Sequence, residues 1–233
     1  MRIYQLAVSI VALGLFACSE EVESTDVRTS GVYPVITVTA DGSGSSRVDI
    51  ELKVGGSSSN TRLDLEGEDN LTVTVGDETR RITESKNNKY TTTFDTDAEG
   101  TEFIVAFNRG ADDKSAPNSR VSLPAPFDLT LGSSEVSRKD DVLDFTWDKA
   151  GGPDMEWHAD GDCIFPESDT TADDGEASIG AGKLDATSSK ENESCEVTLS
   201  LTRTAKGTAD PAFTEGGAVK ALQVRSETFQ SLP

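Results

Sequence analysis

Apolar and polar residues alternate along several short runs of this sequence, and this alternation constrains the fold more than any other feature. The run at 46–54 (SRVDIELKV) places Val, Ile and Leu on one face and charged residues on the other. The run at 195–204 (CEVTLSLTRT) has Cys or an apolar residue at every second position from 195 to 201. A period of two is typical of antiparallel strands that bury one face. No stretch carries a sustained helical apolar stripe with capping residues, so we predict an all-β protein.

A proline pair in the middle of the chain predicts a domain boundary. Proline cannot continue the hydrogen-bond ladder of a sheet, and Pro124-Ala125-Pro126 interrupts the strand pattern. The segments before and after it each contain about seven short runs, the number typical of a β-sandwich. We therefore predict two consecutive antiparallel β-sandwich domains, at 31–125 and 127–233.

The second half resembles immunoglobulin-like and fibronectin type III modules in its architecture. Trp147 lies in an early strand and is expected to be the buried aromatic of the core. It precedes both later cysteines, whereas the immunoglobulin Trp lies between the paired ones. The acidic stretch 166–176 predicts a loop. The last run, at 219–229, predicts a closing strand with Leu222 and Val224 facing the core.

The N-terminus carries the clearest signal about location. Arg2 is followed by an apolar run over 6–17 that only Ser9 and Gly14 interrupt. Because such a run is too short to cross about 30 Å of hydrocarbon, it predicts an export signal. The residues at 18–30 are acidic and without periodicity, which predicts a flexible tether.

The run ends in Leu15-Phe16-Ala17-Cys18, which resembles the lipobox of bacterial lipoproteins. The resemblance implies that residues 1–17 are a signal peptide, that cleavage falls before Cys18, and that Cys18 carries acyl chains such as palmitate. Two or three chains anchor a protein stably in a bilayer. Ser19 then favours the outer membrane over the inner one. The alternative is an ordinary secretory signal with an incidental cysteine.

Three cysteines are present, and Cys18 is assigned to lipid. Cys163 and Cys195 lie 32 residues apart. Because exported proteins fold under oxidising conditions, we predict a disulfide between them. Closing such a loop stabilises a protein by roughly 3–4 kcal/mol. The alternative, a zinc site, lacks a suitable set of ligands.

The overall charge limits the classes of partner. The chain has 42 Asp and Glu against 21 Lys and Arg, for a net charge of -21. No basic stripe is available to displace phosphate counterions, which argues against nucleic acid. The same charge argues against electrostatic docking on anionic lipid.

Acidic residues are concentrated at 154–176, where a hard cation such as Ca²⁺ could find oxygen ligands. The candidate ligands are Asp160, Asp162, Asp173 and Asp174. The alternative is a solvated acidic loop that maintains solubility. His158 is the single histidine, and no G-x-S-x-G motif accompanies it, so we predict no hydrolase triad.

These features predict a non-enzymatic, lipid-anchored envelope protein at the outer membrane, facing the periplasm or the cell surface. Its expected role is to bind an envelope protein or a glycan, or to act as a spacer, and it needs no cofactor. One alternative is a Ca²⁺-stabilised surface adhesin or carbohydrate-binding module. Another is a carboxylate-dependent hydrolase, which the composition neither supports nor excludes.

Overall fold

Nearly all of the regular secondary structure in the described residues is β-strand. A computed structural model describes residues 20–86, 89–110 and 113–233; the predicted signal segment 1–17 and Cys18 lie outside this part of the chain. Strands make up 54% and helix 3%, which confirms the all-β prediction. The two short 3-10 helices are Ser24–Asp26 and Thr29–Gly31. The described residues contain no helix that is long and apolar enough to cross a membrane.

The strands are β1 Glu21–Glu23, β2 Val32–Ala40, β3 Ser46–Val54, β4 Arg62–Asp64, β5 Asn70–Val75, β6 Glu78–Ile82, β7 Tyr90–Phe94, β8 Glu102–Asn108, β9 Ala116–Ser122, β10 Leu129–Leu131, β11 Glu135–Ser137, β12 Leu143–Trp147, β13 Met155–Gly161, β14 Glu167–Thr171, β15 Glu176–Ile179, β16 Cys195–Lys206 and β17 Ala218–Leu232.

One large sheet runs through the whole body. Its order is β1-β4-β3-β2-β17-β16-β13-β14, with β7 added to β3 and β11 added to β17. Strand β17 has 15 residues and therefore extends over about 50 Å. Its first part lies parallel to β2, and β16 lies antiparallel to it from Cys195 to Lys206. This strand connects the two halves of the sheet.

Two smaller sheets cover the two halves and enclose two apolar clusters. The sheet β6-β5-β8-β9 contributes to the first cluster with β2, β3 and the start of β17. The sheet β10-β12-β15 contributes to the second with β13 and β16. The predicted alternation holds, since Val48, Ile50, Leu199 and Leu201 are fully buried. Trp147 belongs to the second cluster, as expected.

The chain does not divide between the clusters at one point. The segment 207–221, predicted as part of the second domain, returns to the first cluster through Phe213 and Val219. The Phe213 ring stacks on Phe107 at 6.3 Å between centroids. Gly207 allows close passage here, because a Cβ at that position would lie 2.3 Å from the carbonyl oxygen of Arg120. The last strand thus belongs to both clusters.

Two local predictions were wrong. The stretch 166–176 is not one loop, because it contains β14 and the start of β15. In the first part of β17 the buried positions are Val219, Ala221 and Gln223, so Leu222 and Val224 lie on the other face. Gln223 is accepted in the interior because its amide donates to the carbonyl oxygens of Asp97 and Pro124, at 2.8 and 3.3 Å.

Candidate functional site

The topology gives the body two distinct ends. The "anchor end" is where the described chain begins: Glu21 lies opposite Arg62, and β2 starts nearby at Val32. The "tip" is the opposite end, where β17 finishes and Cys195 lies opposite Ser231. The "junction" lies between them, at Pro124–Pro126. Each of these three places contains a buried arginine.

At the tip, Cys163 and Cys195 form a disulfide, as predicted. Arg138 lies beside it and is 6% exposed. Its guanidinium donates to the Cys163 Sγ at 3.3 Å and to the carbonyl oxygens of Glu191 and Glu193 at 3.1 and 3.0 Å. The disulfide and this arginine together hold the loop between β15 and β16.

The tip also carries exposed apolar side chains. Among the described residues, Phe165 and Val142 are the large hydrophobic residues that solvent reaches, at 55% and 51% exposure. Phe165 follows Cys163 by two positions, and its amide donates to the carbonyl oxygen of Asp185 at 2.9 Å. An exposed aromatic on a fixed loop is a common feature of a binding surface.

At the junction, Arg203 and Asp173 form a buried ion pair. The guanidinium contacts both carboxylate oxygens, at 2.6 and 2.9 Å, and the Asp173 side chain is 0% exposed. Trp147 Nε1 donates to the same carboxylate at 3.0 Å. Burial by itself would raise the pKa of Asp173, but the hydrogen bonds from Arg203 and Trp147 outweigh it and hold the pKa below its usual value.

The Arg203–Asp173 pair has no donor left for a ligand. Besides Asp173, the guanidinium donates to the carbonyl oxygens of Ala125, Pro126 and Asp148, at 2.8, 3.3 and 2.7 Å. These bonds use all five of its N–H groups. A cleft of ≈ 650 Å³ lies beside the pair, within the size range of small-ligand pockets, but the guanidinium has no remaining N–H group to offer a ligand there. We therefore interpret the pair as a lock between the two halves and not as a reactive group.

At the anchor end, Arg109 binds the segment that precedes β2. Its guanidinium donates to the carbonyl oxygens of Ser24 and Val27 at 2.7 and 3.0 Å and to Thr29 Oγ1 at 3.1 Å. It forms ion pairs with Asp69 and Asp113 at 3.0 and 3.1 Å. The arginine is deeply buried, with 4% of its side chain exposed.

The two carboxylates hold the same segment. Asp69 accepts from Ser24 Oγ at 2.7 Å, and Asp113 accepts from the Thr29 amide at 2.8 Å. Burial acts to raise the pKa of Asp113, but the hydrogen bonds from the Thr29 and Lys114 amides and the Arg109 charge outweigh it and lower the pKa. A cleft of ≈ 540 Å³ opens beside this network.

The predicted tether at 18–30 therefore differs from the structure over its described part. Residues 21–23 form β1 beside β4, and 24–31 form the two short 3-10 helices that Arg109 binds. Polar, acidic composition suggested a free chain, but Arg109 and Asp113 bind its backbone and Asp69 accepts from the Ser24 hydroxyl. We call residues 20–31 the "clamped segment".

The calcium candidates are not brought together. Asp173 is committed to Arg203, whereas Asp160, Asp162 and Asp174 are exposed. In 20–86, 89–110 and 113–233, no group of three or more His, Cys, Asp or Glu is arranged to hold a metal ion. His158 lies on the exposed face of β13, opposite Ser168 on β14 and Ser200 on β16.

Strand β14 lies at an edge of the large sheet and carries charge on its inner face. Asp169 is opposite Trp157, and Glu167 is opposite Ala159, so both side chains lie on the same face as buried core residues, with Asp169 exposed and Glu167 half-buried. Inward charge at an edge strand is a common way to prevent pairing with another chain. The edge is short and acidic, and we interpret it as a protected edge.

Replacing Asp169 with Val is expected to strengthen self-association about tenfold, equivalent to about 1.4 kcal/mol. The change replaces a charge on the core-side face of the edge strand with an apolar side chain, which favours pairing with a strand of another chain. Sedimentation velocity at high ionic strength measures the effect. The Asp160→Val variant is the matched control, because Asp160 lies on the exposed face of β13, the neighbouring strand that is not at the edge. Equal association of the two variants would contradict edge protection.

Comparison with known proteins adds no functional residue. No known protein family matches the chain, and no curated protein is significantly similar to it in sequence.

Proposed function

We propose that the protein is a lipid-anchored component of the bacterial outer membrane with a non-enzymatic binding or spacing role. The lipobox-like motif at 15–18 supplies the anchor, and acyl chains on Cys18 hold the protein at the bilayer. The body is a stiff pair of sandwich-like units that carries a binding surface away from the membrane.

The observation that carries this proposal is the separation of the two ends. The described chain begins at the anchor end, and β17 continues through both clusters for about 50 Å to the tip. A protein that only needs to remain at a membrane does not require such a long shared strand. A spacer, or a module that presents a binding surface, does require one, because it must hold its far end at a fixed distance from the membrane.

We further propose that the two halves are immunoglobulin-like sandwiches. Each apolar cluster lies between part of the large sheet and a smaller sheet, which supports this interpretation. The second half has Trp147 in its core and a disulfide, but the disulfide links the end of the β13 hairpin to β16 and lies after Trp147. The likeness is one of architecture, which does not by itself give a function.

The tip is the binding surface we favour. It combines an exposed phenylalanine with a loop that a disulfide and Arg138 hold in place. A rigid site loses little entropy on binding. The proposed partner is another envelope protein or a glycan, since the net charge of -21 disfavours nucleic acid.

Replacing Cys18 with Ser is expected to move the protein from the membrane fraction to the soluble fraction, because it removes the acylated sulfur. Cell fractionation measures this, and the intact mass of the wild-type protein should lack residues 1–17 and include acyl chains. Ser19→Ala is the control and should leave membrane association unchanged. Membrane retention of the Cys18→Ser variant, or a wild-type mass without lipid, would overturn the proposal.

A further inference from the structure

We propose that the clamped segment holds the body directly at the bilayer surface, with its anchor end inward and its tip outward. This inference rests on the acylation of Cys18 proposed above. It goes further by identifying the anchor-end surface as the one that faces the lipid headgroups, and by fixing how far the body stands from them.

The first step is that the clamped segment is bound to the body from its first residue. The amide of Arg62 donates to the carbonyl oxygen of Glu20 at 2.8 Å, and β1 continues the pairing with β4. The amide of Gly55 donates to the carbonyl oxygen of Gly31 at 3.3 Å. Between these points, Arg109 holds the carbonyl oxygens of Ser24 and Val27.

The second step is that these contacts are protected from water. Ser24 and Thr29 are buried at 0% and 1% exposure, and Arg109 and Asp69 have side chains that are 4% and 6% exposed. Charge-assisted hydrogen bonds are about twice as strong as neutral ones, and the low dielectric of a buried site strengthens them further. The clamped segment is therefore part of the folded body and not a flexible linker.

The third step is covalent geometry. An extended chain advances at most about 3.6 Å per residue, so the Cα of Glu20 lies within about 7 Å of the Cα of Cys18. A free tether over 18–30 would instead allow about 40 Å. With acyl chains on Cys18, the anchor end must lie at the headgroups.

The negative charge of the body determines its orientation relative to the membrane. The anchor end exposes Glu20, Glu21, Glu23 and Asp26, and the whole chain has a net charge of -21. Anionic headgroups repel such a body over a Debye length of about 8 Å at physiological salt. Since only the anchor end is tethered, repulsion favours an upright body and disfavours one that lies flat along the membrane.

Neutron reflectometry on supported bilayers tests this with the full acylated protein. We expect a water gap of about 10 Å or less below the protein and a protein layer of about 50 Å or more. A variant with about 12 Gly and Ser residues inserted between Ser19 and Glu20 is the matched control. Its gap should widen toward about 20 Å, the mean span of such a flexible linker.

A wild-type gap equal to that of the insertion variant would overturn the inference. So would a wild-type layer much thinner than the strand β17 is long. Because the insertion leaves the folded residues intact, the comparison does not depend on whether a core variant folds. A wild-type mass without acyl chains would overturn both this inference and the proposed function, whereas an acylated protein with a wide gap would overturn this inference alone.

Hydrogen exchange of the same full chain gives an independent measurement. The amides of Val27, Thr29, Gly31 and Arg62 should exchange much more slowly than those of exposed turns, because each has a partner. In an Arg109→Met variant we expect exchange in 24–31 to accelerate at least tenfold while β16 and β17 remain protected. Unprotected amides in the wild-type clamped segment would contradict the inference.

Discussion

Replacing Arg203 with Met is expected to lower the free energy of unfolding by about 3–5 kcal/mol, since it leaves a buried carboxylate without its counter-ion. Asp173 has no exposed side-chain surface, and Arg203 also holds the carbonyl oxygens of the Ala125–Pro126 connection. Urea unfolding followed by tryptophan fluorescence measures the loss. Trp147 is a suitable probe because it donates to Asp173.

The matched control is Arg120→Met. Arg120 pairs with Glu102 at 3.3 Å, but both side chains are 46% exposed. Exposed pairs contribute about 0–1 kcal/mol, so the control should change stability little. Similar losses in both variants would show that the junction pair has no special role.

The pH dependence of the same two proteins checks the cause. The folded wild-type protein holds the pKa of Asp173 below its usual value. Its contribution to stability is therefore present above about pH 4, the unfolded pKa, and is lost as the pH falls through the folded pKa. Without Arg203, burial raises the folded pKa instead. The deficit of the variant should then shrink as the pH is lowered from about 7 toward about 4. A deficit that stays constant would contradict this explanation.

Removing the disulfide is expected to cost roughly 3–4 kcal/mol, since the bond closes a loop of 32 residues. The double variant Cys163→Ala and Cys195→Ala should show this loss in urea unfolding under oxidising conditions. Wild-type protein under reducing conditions should fall to a similar stability, which makes the two experiments controls for each other. A change below about 1 kcal/mol would contradict a stabilising role for this bond.

The loss should be centred on the tip. Arg138 donates to the Cys163 Sγ and to the carbonyl oxygens of Glu191 and Glu193, so the arginine and the disulfide support the same loop. Hydrogen exchange in the double variant should accelerate at 185–194 and remain slow in β2 and β3.

Much of the fold could be predicted because strand formation is a local property. Alternation at 46–54 and 195–204 identified two central strands and their buried faces. The pairing of Cys163 with Cys195 followed from the number of cysteines and from the predicted export signal. The helical period was missing everywhere, so the all-β class required no tertiary information.

The local sequence pattern gave wrong predictions where partners distant in the sequence lower the free-energy cost of burying a polar side chain. Leu222 and Val224 were the more hydrophobic choice for an inner face, yet Ala221 and Gln223 are the buried residues. Two carbonyl oxygens from Asp97 and Pro124 satisfy the Gln223 amide. Those partners lie 126 and 99 residues away in sequence, so the residues near β17 do not indicate them.

The three buried arginines were missed for the same reason. Arg109 binds acceptors more than 80 residues earlier, and Arg203 binds carbonyls more than 70 residues earlier. Most of these acceptors are backbone oxygens, which every residue possesses, so no residue type marks them. The acidic partners Asp69, Asp113 and Asp173 were indistinguishable in sequence from the many exposed acids.

The sequence by itself determined the strand class, the disulfide and the expectation of a lipid anchor at Cys18, because each depends on neighbouring residues or on a short motif. Only the tertiary structure decided that residues 20–31 are bound to the body, that β17 joins two apolar clusters, and that Asp173 is part of a lock and not of a calcium site. The physical reason is that a buried charge becomes stable only when the folded chain assembles its partners from distant segments.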